Sequence, residues 1–433
     1  MPTRWNKGGL LARVNFPLYT LQMLTSRHIL VGGGGGSSKT GVANGFEIFE
    51  LSHDGTQFIA EEMTRHETGP SVVMNCATYN DGQRAWIVAG QESHCQLYNV
   101  TTKVTLIENG EINKCQTNNN KGSLRHRKKS EREEDVRKTK DKKIQEMENN
   151  NSSAKGKKLQ LIIKPADSLQ TDFWDVEPLQ RVVRVSQDGK LMATGGTDGH
   201  VRLWKFPQML KEHDLALHEK EIDDIDFSPG YSLLASIAKD GKLYIWNVRD
   251  GSKVNELTWT PPNGAKSMYK RCRFKRSEER KAKEELFVLS NSTLGKLSSF
   301  LQLWDVESNS IVKSVPYKET LSALAVSDDG KFVAVGTMFS GSVDIYVAFS
   351  LSKALHVPSA HSMFITGLEF LPSKLDGPAI TSNTEAAVVS ISVDNRICIH
   401  SINFRHTLPF WLVIVLIILS ICGAFILCSY LGI

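Results

Sequence analysis

A short unit recurs along the chain, and its spacing limits the possible folds more than any other feature. LMATGGTDGHVRLWKF, beginning at Leu191, aligns without a gap on LLASIAKDGKLYIWNV, beginning at Leu233. Each is a pair of alternating apolar and polar runs joined by a polar turn, the second run closing on an aromatic residue, which is the pattern of a half-buried β-hairpin. Looser copies are AWIVAGQESHCQLYNV from Ala85, a stretch ending LQLWDV at Val306, FVAVGTMFSGSVDIYV from Phe332, AAVVSISVDNRICIHS from Ala386 and HILVGGGGGSSKTGVANGFEIFEL from His28. The apolar residue before the closing aromatic or His marks the copies at Ile48, Leu97, Leu203, Ile245, Leu303, Ile345 and Ile399, with successive separations of 49, 106, 42, 58, 42 and 54. Most lie near the roughly 40–45 residues of a four-stranded blade. The expected fold is therefore all-β, a seven-bladed β-propeller over residues 1–403. Residues 10–24 (LLARVNFPLYTLQML) are apolar enough to be a strand that pairs into the last blade and removes its free edge.

The clearest blades resemble the WD-repeat family in more than length. In the fourth, His218, Ser236, Asp240 and Trp246 stand where that family places a hydrogen-bonded tetrad, and His361, Ser390 and Asp394 repeat three of its members in the last. Such a chain satisfies polar groups that would otherwise be buried unpaired. The same residue types make Ser-His-Asp hydrolases, but no G-x-S-x-G elbow occurs, and recurrence in separate repeats signals architecture.

The chain carries a formal net charge of +5, and its location argues against a basic folded face. Between Lys121 and Lys158 there are fourteen Lys and Arg against seven Asp and Glu, so the remainder is slightly acidic. Residues 109–158 hold hardly any large apolar side chain and are expected to be a disordered insert between two strands or two blades. No Phe, Tyr or Trp interleaves the charge from 121 to 158, which makes nucleic acid an unlikely partner. A second basic stretch at 270–283, KRCRFKRSEERKAK, divides between a blade strand, where Cys272 and Phe274 alternate with charge, and a solvated loop. The seven cysteines are scattered singly without a C-x-x-C pair, as in a reducing compartment. His94 beside Cys95 lacks a second ligand pair, and buried thiols are the expectation.

From Leu408 to Ile433 there is no charged residue in 26 positions. A helix of that length reaches about 39 Å against a hydrocarbon layer of roughly 30 Å. The expectation is a single transmembrane helix over 408–431, serving as a tail anchor or signal anchor, with 432–433 as a minimal lumenal tail. Arg405 and His406 precede it and no positive charge follows, which orients the propeller to the cytosol.

VGGGGGSSKTGVANG, residues 31–45, invites comparison with a phosphate-binding P-loop. That motif needs Gly before its Lys-Thr and a helix after it, whereas Ser38 precedes Lys39 and a strand pattern follows. Within a propeller the segment is instead a long connection on one rim, and its glycines leave carbonyls exposed, which suits a hard cation better than an anion. In a first blade, with seven degenerate WD-like blades and a terminal anchor, it resembles the endoplasmic-reticulum exchange factors that activate the small GTPase of COPII coats. The resemblance covers nearly the whole chain, and the loop is its specific part. It implies guanine-nucleotide exchange without covalent chemistry, in ER-to-Golgi transport at the ER membrane. The implied exchange-loop residues are Gly32, Gly33, Gly34, Gly35, Lys39, Thr40, Gly41, Val42 and Asn44, with a potassium ion at Gly41, Val42 and Asn44 and no other cofactor. Lys39 is either paired with an acidic group of the GTPase or simply solvated, and Asn44 is expected to order the loop through left-handed backbone geometry. The rival expectation is a propeller scaffold that gathers trafficking proteins without catalysing exchange.

Overall fold

A computed structural model describes residues 9–36, 41–108, 111–112, 156–261, 264, 266–276, 283–293, 298–373, 380, 384–404 and 410–431. The chain falls into two units, residues 1–99 with 164–433, and residues 100–163. Seven antiparallel sheets are present, as the repeat spacing requires. Their innermost strands are Leu18–Met23, Asn75–Asn80, Gln180–Val185, Ile222–Phe227, Ser267–Phe274, Leu321–Val326 and Ile365–Phe370. Each packs on the next and the seventh returns to the first, which closes the ring of blades 1 to 7.

The second strands of the blades, such as Leu233–Ala238 and Phe332–Thr337, read as nearly continuous apolar runs because both their faces are covered. The core is distributed between neighbouring blades. Val182, Leu203 and Leu215 of blade 3 pack with Ile225, Tyr244 and Trp246 of blade 4, and Leu289 and Leu301 of blade 5 with Leu324 and Val335 of blade 6. Each such fully buried side chain contributes about 1.5–3 kcal/mol.

Ring closure differs in part from the expected strand over 10–24. Gly9–Arg13 pairs antiparallel with Arg396–Asn403 of blade 7 and covers its outer edge. The chain then breaks at 14–17, and Leu18–Met23 starts blade 1. Pro17 explains the break, since it has no N–H for a ladder, and its carbonyl accepts instead from Gly34 N at 3.1 Å. One apolar stretch therefore serves two adjacent blades.

The insert interrupts a single blade. It lies between the third strand of blade 2, His94–Glu108, and the fourth, Gly156–Gln170. In the smaller unit, Glu111–Ile112 folds back on the end of the third strand. The fourth strand begins two residues before Lys158, so the insert is shorter than its composition suggests. Its expected disorder concerns residues outside those described. Of the stretch 270–283, the expected strand part lies in Ser267–Phe274, and residues 277–282, where a solvated loop was expected, lie outside the described residues. Cys272 and Phe274 enter the core, while Arg273 contacts Asp224 with Nη1–Oδ2 at 2.6 Å.

Alternating strand direction puts the turns on two rims. On the upper rim, connections between blades bond to turns between second and third strands, as Thr171 N to Ser93 O at 2.9 Å and Lys239 N to Glu221 O at 2.9 Å. On the lower rim, the remaining turns bond to one another, as Phe206 N to Lys190 O at 2.8 Å. The glycine segment leaves the Gly33–Gly45 pair at the upper rim. The last strand ends at Asn403, opposite Thr384, at the lower rim.

The helix Phe410–Leu431 closes the description with 22 residues and no charge. Among the described residues no helix is long and apolar enough to cross a membrane. The expected single-pass span is therefore not established by the fold.

Candidate functional site

The upper-rim loop of blade 1 runs from residue 34 to 44 between the strands His28–Gly33 and Gly45–His53. The nine residues singled out in the sequence separate into three roles. Gly32 and Gly33 are buried strand residues, and a Cβ at Gly33 would collide with the Pro17 carbonyl. Gly34 has φ 145° and lies against the Asn44 side chain with no room for a Cβ. These three seat the base of the loop and present no surface to a partner. Gly35 is half-buried and Gly41 exposed, while Val42 packs on the core that includes Phe16 and Leu18. Lys39 and Thr40 lie outside the described residues.

Asn44 is the organising residue. It is 5% exposed, and its Oδ1 accepts from Gly36 N at 2.9 Å. Its Nδ2 faces the carbonyl oxygens of Gly36 at 3.1 Å, Gly69 at 3.0 Å and Pro70 at 2.9 Å. Two amide hydrogens are thus shared among three acceptors, and one side chain ties both arms of the loop to the connection between blades 1 and 2. Asn44 does not take the left-handed conformation expected of it. It orders the loop through its amide, with partners as far as 26 residues along the chain that local pattern could not reveal.

Below the loop, Phe46 stacks on His66 at 5.3 Å and meets Tyr98 edge-on at 5.0 Å. Burial lowers the His66 pKa and keeps the imidazole neutral. Glu47 is nearly buried, 3.6 Å from Arg65; burial and the Glu62 charge raise its pKa against the opposing pull of Arg65. For a cation, the arrangement offers oxygen ligands only. Asn44 Oδ1 accepts from Gly36 N, and an amide oxygen has a second lone pair. That donor set is compatible with a weakly held, hard monovalent ion. Among the described residues no His, Cys, Asp and Glu cluster could hold a metal, and His94 bonds Ser93 Oγ at 2.9 Å. Cys76, Cys95, Cys272 and Cys398 are buried as expected, whereas Cys422 and Cys428 are exposed on the terminal helix. Burial pushes the Cys76 and Cys95 thiols up to about 12.

The polar tetrad of blade 4 is complete. His218 Nδ1 lies 3.0 Å from Asp240 Oδ2, His218 Nε2 2.8 Å from Ser236 Oγ, and Trp246 Nε1 donates to Ser236 Oγ at 2.8 Å. In blade 7 the same arrangement joins His361 to Asp394 at 3.0 Å and to Ser390 at 2.8 Å, with His400 in place of the Trp at 2.8 Å from Ser390. His400 closes the last repeat, next to the marker Ile399, where blade 4 has Trp246, so its tetrad role was available to pattern. Inside the ring, burial opposes ionisation of Asp224, but Arg273, Arg271 and Arg184 outweigh it and hold its pKa below the carboxylate range. These groups brace blades 3 to 5 from within.

Comparison with known proteins bears on the ring and on the family of the whole chain. The model of the WD domain, G-beta repeat, matches residues 180–205 and 210–247, which belong to blades 3 and 4. The guanine nucleotide-exchange factor SEC12 of Mus musculus is 32% identical over 419 residues, covering 95% of this chain and 94% of the relative. The SEC12-like protein 1 of Arabidopsis thaliana is 28% identical over 204 residues, 45% of this chain and 47% of that one. A solved structure described as COPII on membranes, outer coat vertex, superposes with a TM-score of 0.62 at 11% identity over 93% of this chain and 87% of that one. That likeness concerns the fold alone.

Proposed function

This chain belongs to the family of SEC12 guanine nucleotide-exchange factors, and from that premise we propose that it promotes GDP release from the small GTPase of the COPII coat, with loop 34–44 as the exchange element. The observation that carries this reading is the convergence of both arms of a glycine-rich upper-rim connection on the single buried amide of Asn44. A loop tied in this way at its base has less ordering entropy to lose when it meets a partner. A factor that binds the nucleotide-free GTPase more tightly than the loaded form weakens nucleotide binding by the same factor. A thousandfold faster release asks for about 4 kcal/mol of preferential stabilisation at the barrier.

Gly32, Gly33 and Gly34 support the loop from below, Gly35 and Gly41 give it reach, and Lys39 and Thr40 are proposed to meet the GTPase. A potassium ion is part of the same proposal. Gly41 and Val42 main-chain oxygens with Asn44 Oδ1 would hold it, and bound there it would fix the loop backbone. We also assign the helix Phe410–Leu431 as a single-pass anchor in the ER membrane with the ring in the cytosol. The run of 26 uncharged positions from Leu408 to Ile433 supports that assignment.

GDP release from the COPII GTPase, followed by loss of a fluorescent GDP, tests the proposal with the full chain and with Lys39→Ala, in potassium and in lithium. The expected result is release by the wild type, slowed by the variant and by lithium. Binding of the GTPase without any acceleration of release would favour the scaffold.

A further inference from the structure

The upper rim carries a second built feature. Between blades 2 and 3 the connection following Gly156–Gln170 reads TDFWDVEP, residues 171–178. Phe173 and Trp174 are 55% and 51% exposed, flanked by exposed Asp175 and Glu177. Large aromatic side chains rarely remain half in water on a well-ordered connection unless something covers them.

This connection is held in place. Asp172, fully buried, accepts from Trp174 N at 3.0 Å, Thr197 Oγ1 at 3.1 Å and Asp198 N at 3.1 Å. Phe173 N donates to Asp198 Oδ2 at 3.2 Å, and the Arg202 guanidinium lies 5.0 Å from the Phe173 ring. Arg202 is itself fixed by Asp198 at 2.7 Å and the Thr171 carbonyl at 2.7 Å. The backbone that carries the pair, and the Phe173 ring beside Arg202, therefore have little ordering entropy left to lose on contact.

The feature is also continuous with the glycine loop. Asn44 bonds the connection at Gly69 and Pro70, which leads to Asn75. Asn75 Nδ2 donates to the Gln180 main-chain carbonyl at 2.9 Å and Asn75 Oδ1 accepts from Gln180 Nε2 at 2.9 Å, while Gln180 Oε1 accepts from Thr171 Oγ1 at 2.7 Å. A chain of fixed groups thus runs along one rim from loop 34–44 to the aromatic pair.

Resting on the exchange reading above, we propose that Phe173 and Trp174 are the affinity anchor for the same GTPase, docking into an apolar depression bordered by its basic residues, while loop 34–44 acts on the nucleotide site. Asp175 and Glu177 supply the complementary charge, which speeds encounter and makes it salt-dependent. Anchor and exchange element are then separate, and loss of the anchor raises the GTPase concentration needed without changing the limiting rate.

The test compares the full chain in detergent micelles with the double variant F173A/W174A, the charge reversal D175K/E177K, and Phe349→Ala, whose 71% exposed ring lies on the lower rim. Affinity for the nucleotide-free GTPase and GDP release are measured together. Expected are at least a tenfold loss of affinity for F173A/W174A with release restored at saturating GTPase, a flattened salt dependence for D175K/E177K, and no change for Phe349→Ala. Both upper-rim variants binding as tightly as wild type, or Phe349→Ala losing as much, would overturn the anchor, as would a wild type that does not bind. A wild type that binds through these residues but releases no GDP keeps the anchor and overturns the exchange reading instead.

Discussion

Replacing Asn44 with Ala removes the amide on which the loop converges and leaves three carbonyls and the Gly36 N–H without their partner. The expected cost is about 1–3 kcal/mol, since these groups regain water only in part. Faster hydrogen exchange at the Gly36 amide, a lower denaturant midpoint and slower GDP release would report it. Asn44→Asp is expected to be worse for exchange, because it turns a carboxylate toward three carbonyl oxygens. His400 gives a second residue-scale expectation. Burial and the neighbouring His361 push its pKa down to about 3. Its Nε2 lies 2.8 Å from Ser390 Oγ and its Nδ1 is buried without a partner, so a proton on both nitrogens is strongly disfavoured. The unfolded chain protonates this group near pH 6.5 and the folded chain only near 3. Stability from this group is therefore complete above about pH 6.5 and lost as the pH falls toward 3, by at most about 1.4 kcal/mol per unit. Urea midpoints measured across that window should slope less for His400→Phe than for the wild type.

The strand Gly9–Arg13 decides whether blade 7 has an open edge. Deleting residues 1–13 should expose the unpaired edge of Arg396–Asn403, lower the melting temperature and produce aggregates on size-exclusion chromatography. Blades were legible in the sequence where turn chemistry and an aromatic stop recur, and most legible in blade 4, where His218, Ser236, Asp240 and Trp246 all survive. Less legible was the division of residues 10–24. Apolar content marked the whole stretch as strand, but the missing N–H of Pro17 and its carbonyl bond to Gly34 separate it into parts of two blades. The base of the loop was legible as glycine, yet its reason was not. Gly33 and Gly34 are required by the close approach of Pro17 and Asn44, which no local pattern encodes. Phe173 and Trp174 carried a signal that was passed over, an aromatic pair flanked by acids outside any alternating run.

At the scale of the molecule, exchange and tethering are separable if the helix Phe410–Leu431 is an anchor. A fragment of residues 1–403 should release GDP in solution at a rate within about threefold of the full chain, and should fail to concentrate the loaded GTPase on liposomes, as measured by flotation. Equal flotation with both would argue against the anchor. The opposite rims of the ring bear on how such delivery could work. Loop 34–44 leaves from the end marked by Gly33 and Gly45, whereas the chain departs toward its helix from Asn403 at the other. Inner strands of six residues, such as Leu18–Met23, rise about 20 Å between those ends. Moored upright, the protein would hand over its client on the side facing away from lipid. A client destined for the bilayer must then bridge that height itself, or the ring must heel over on its mooring before letting go.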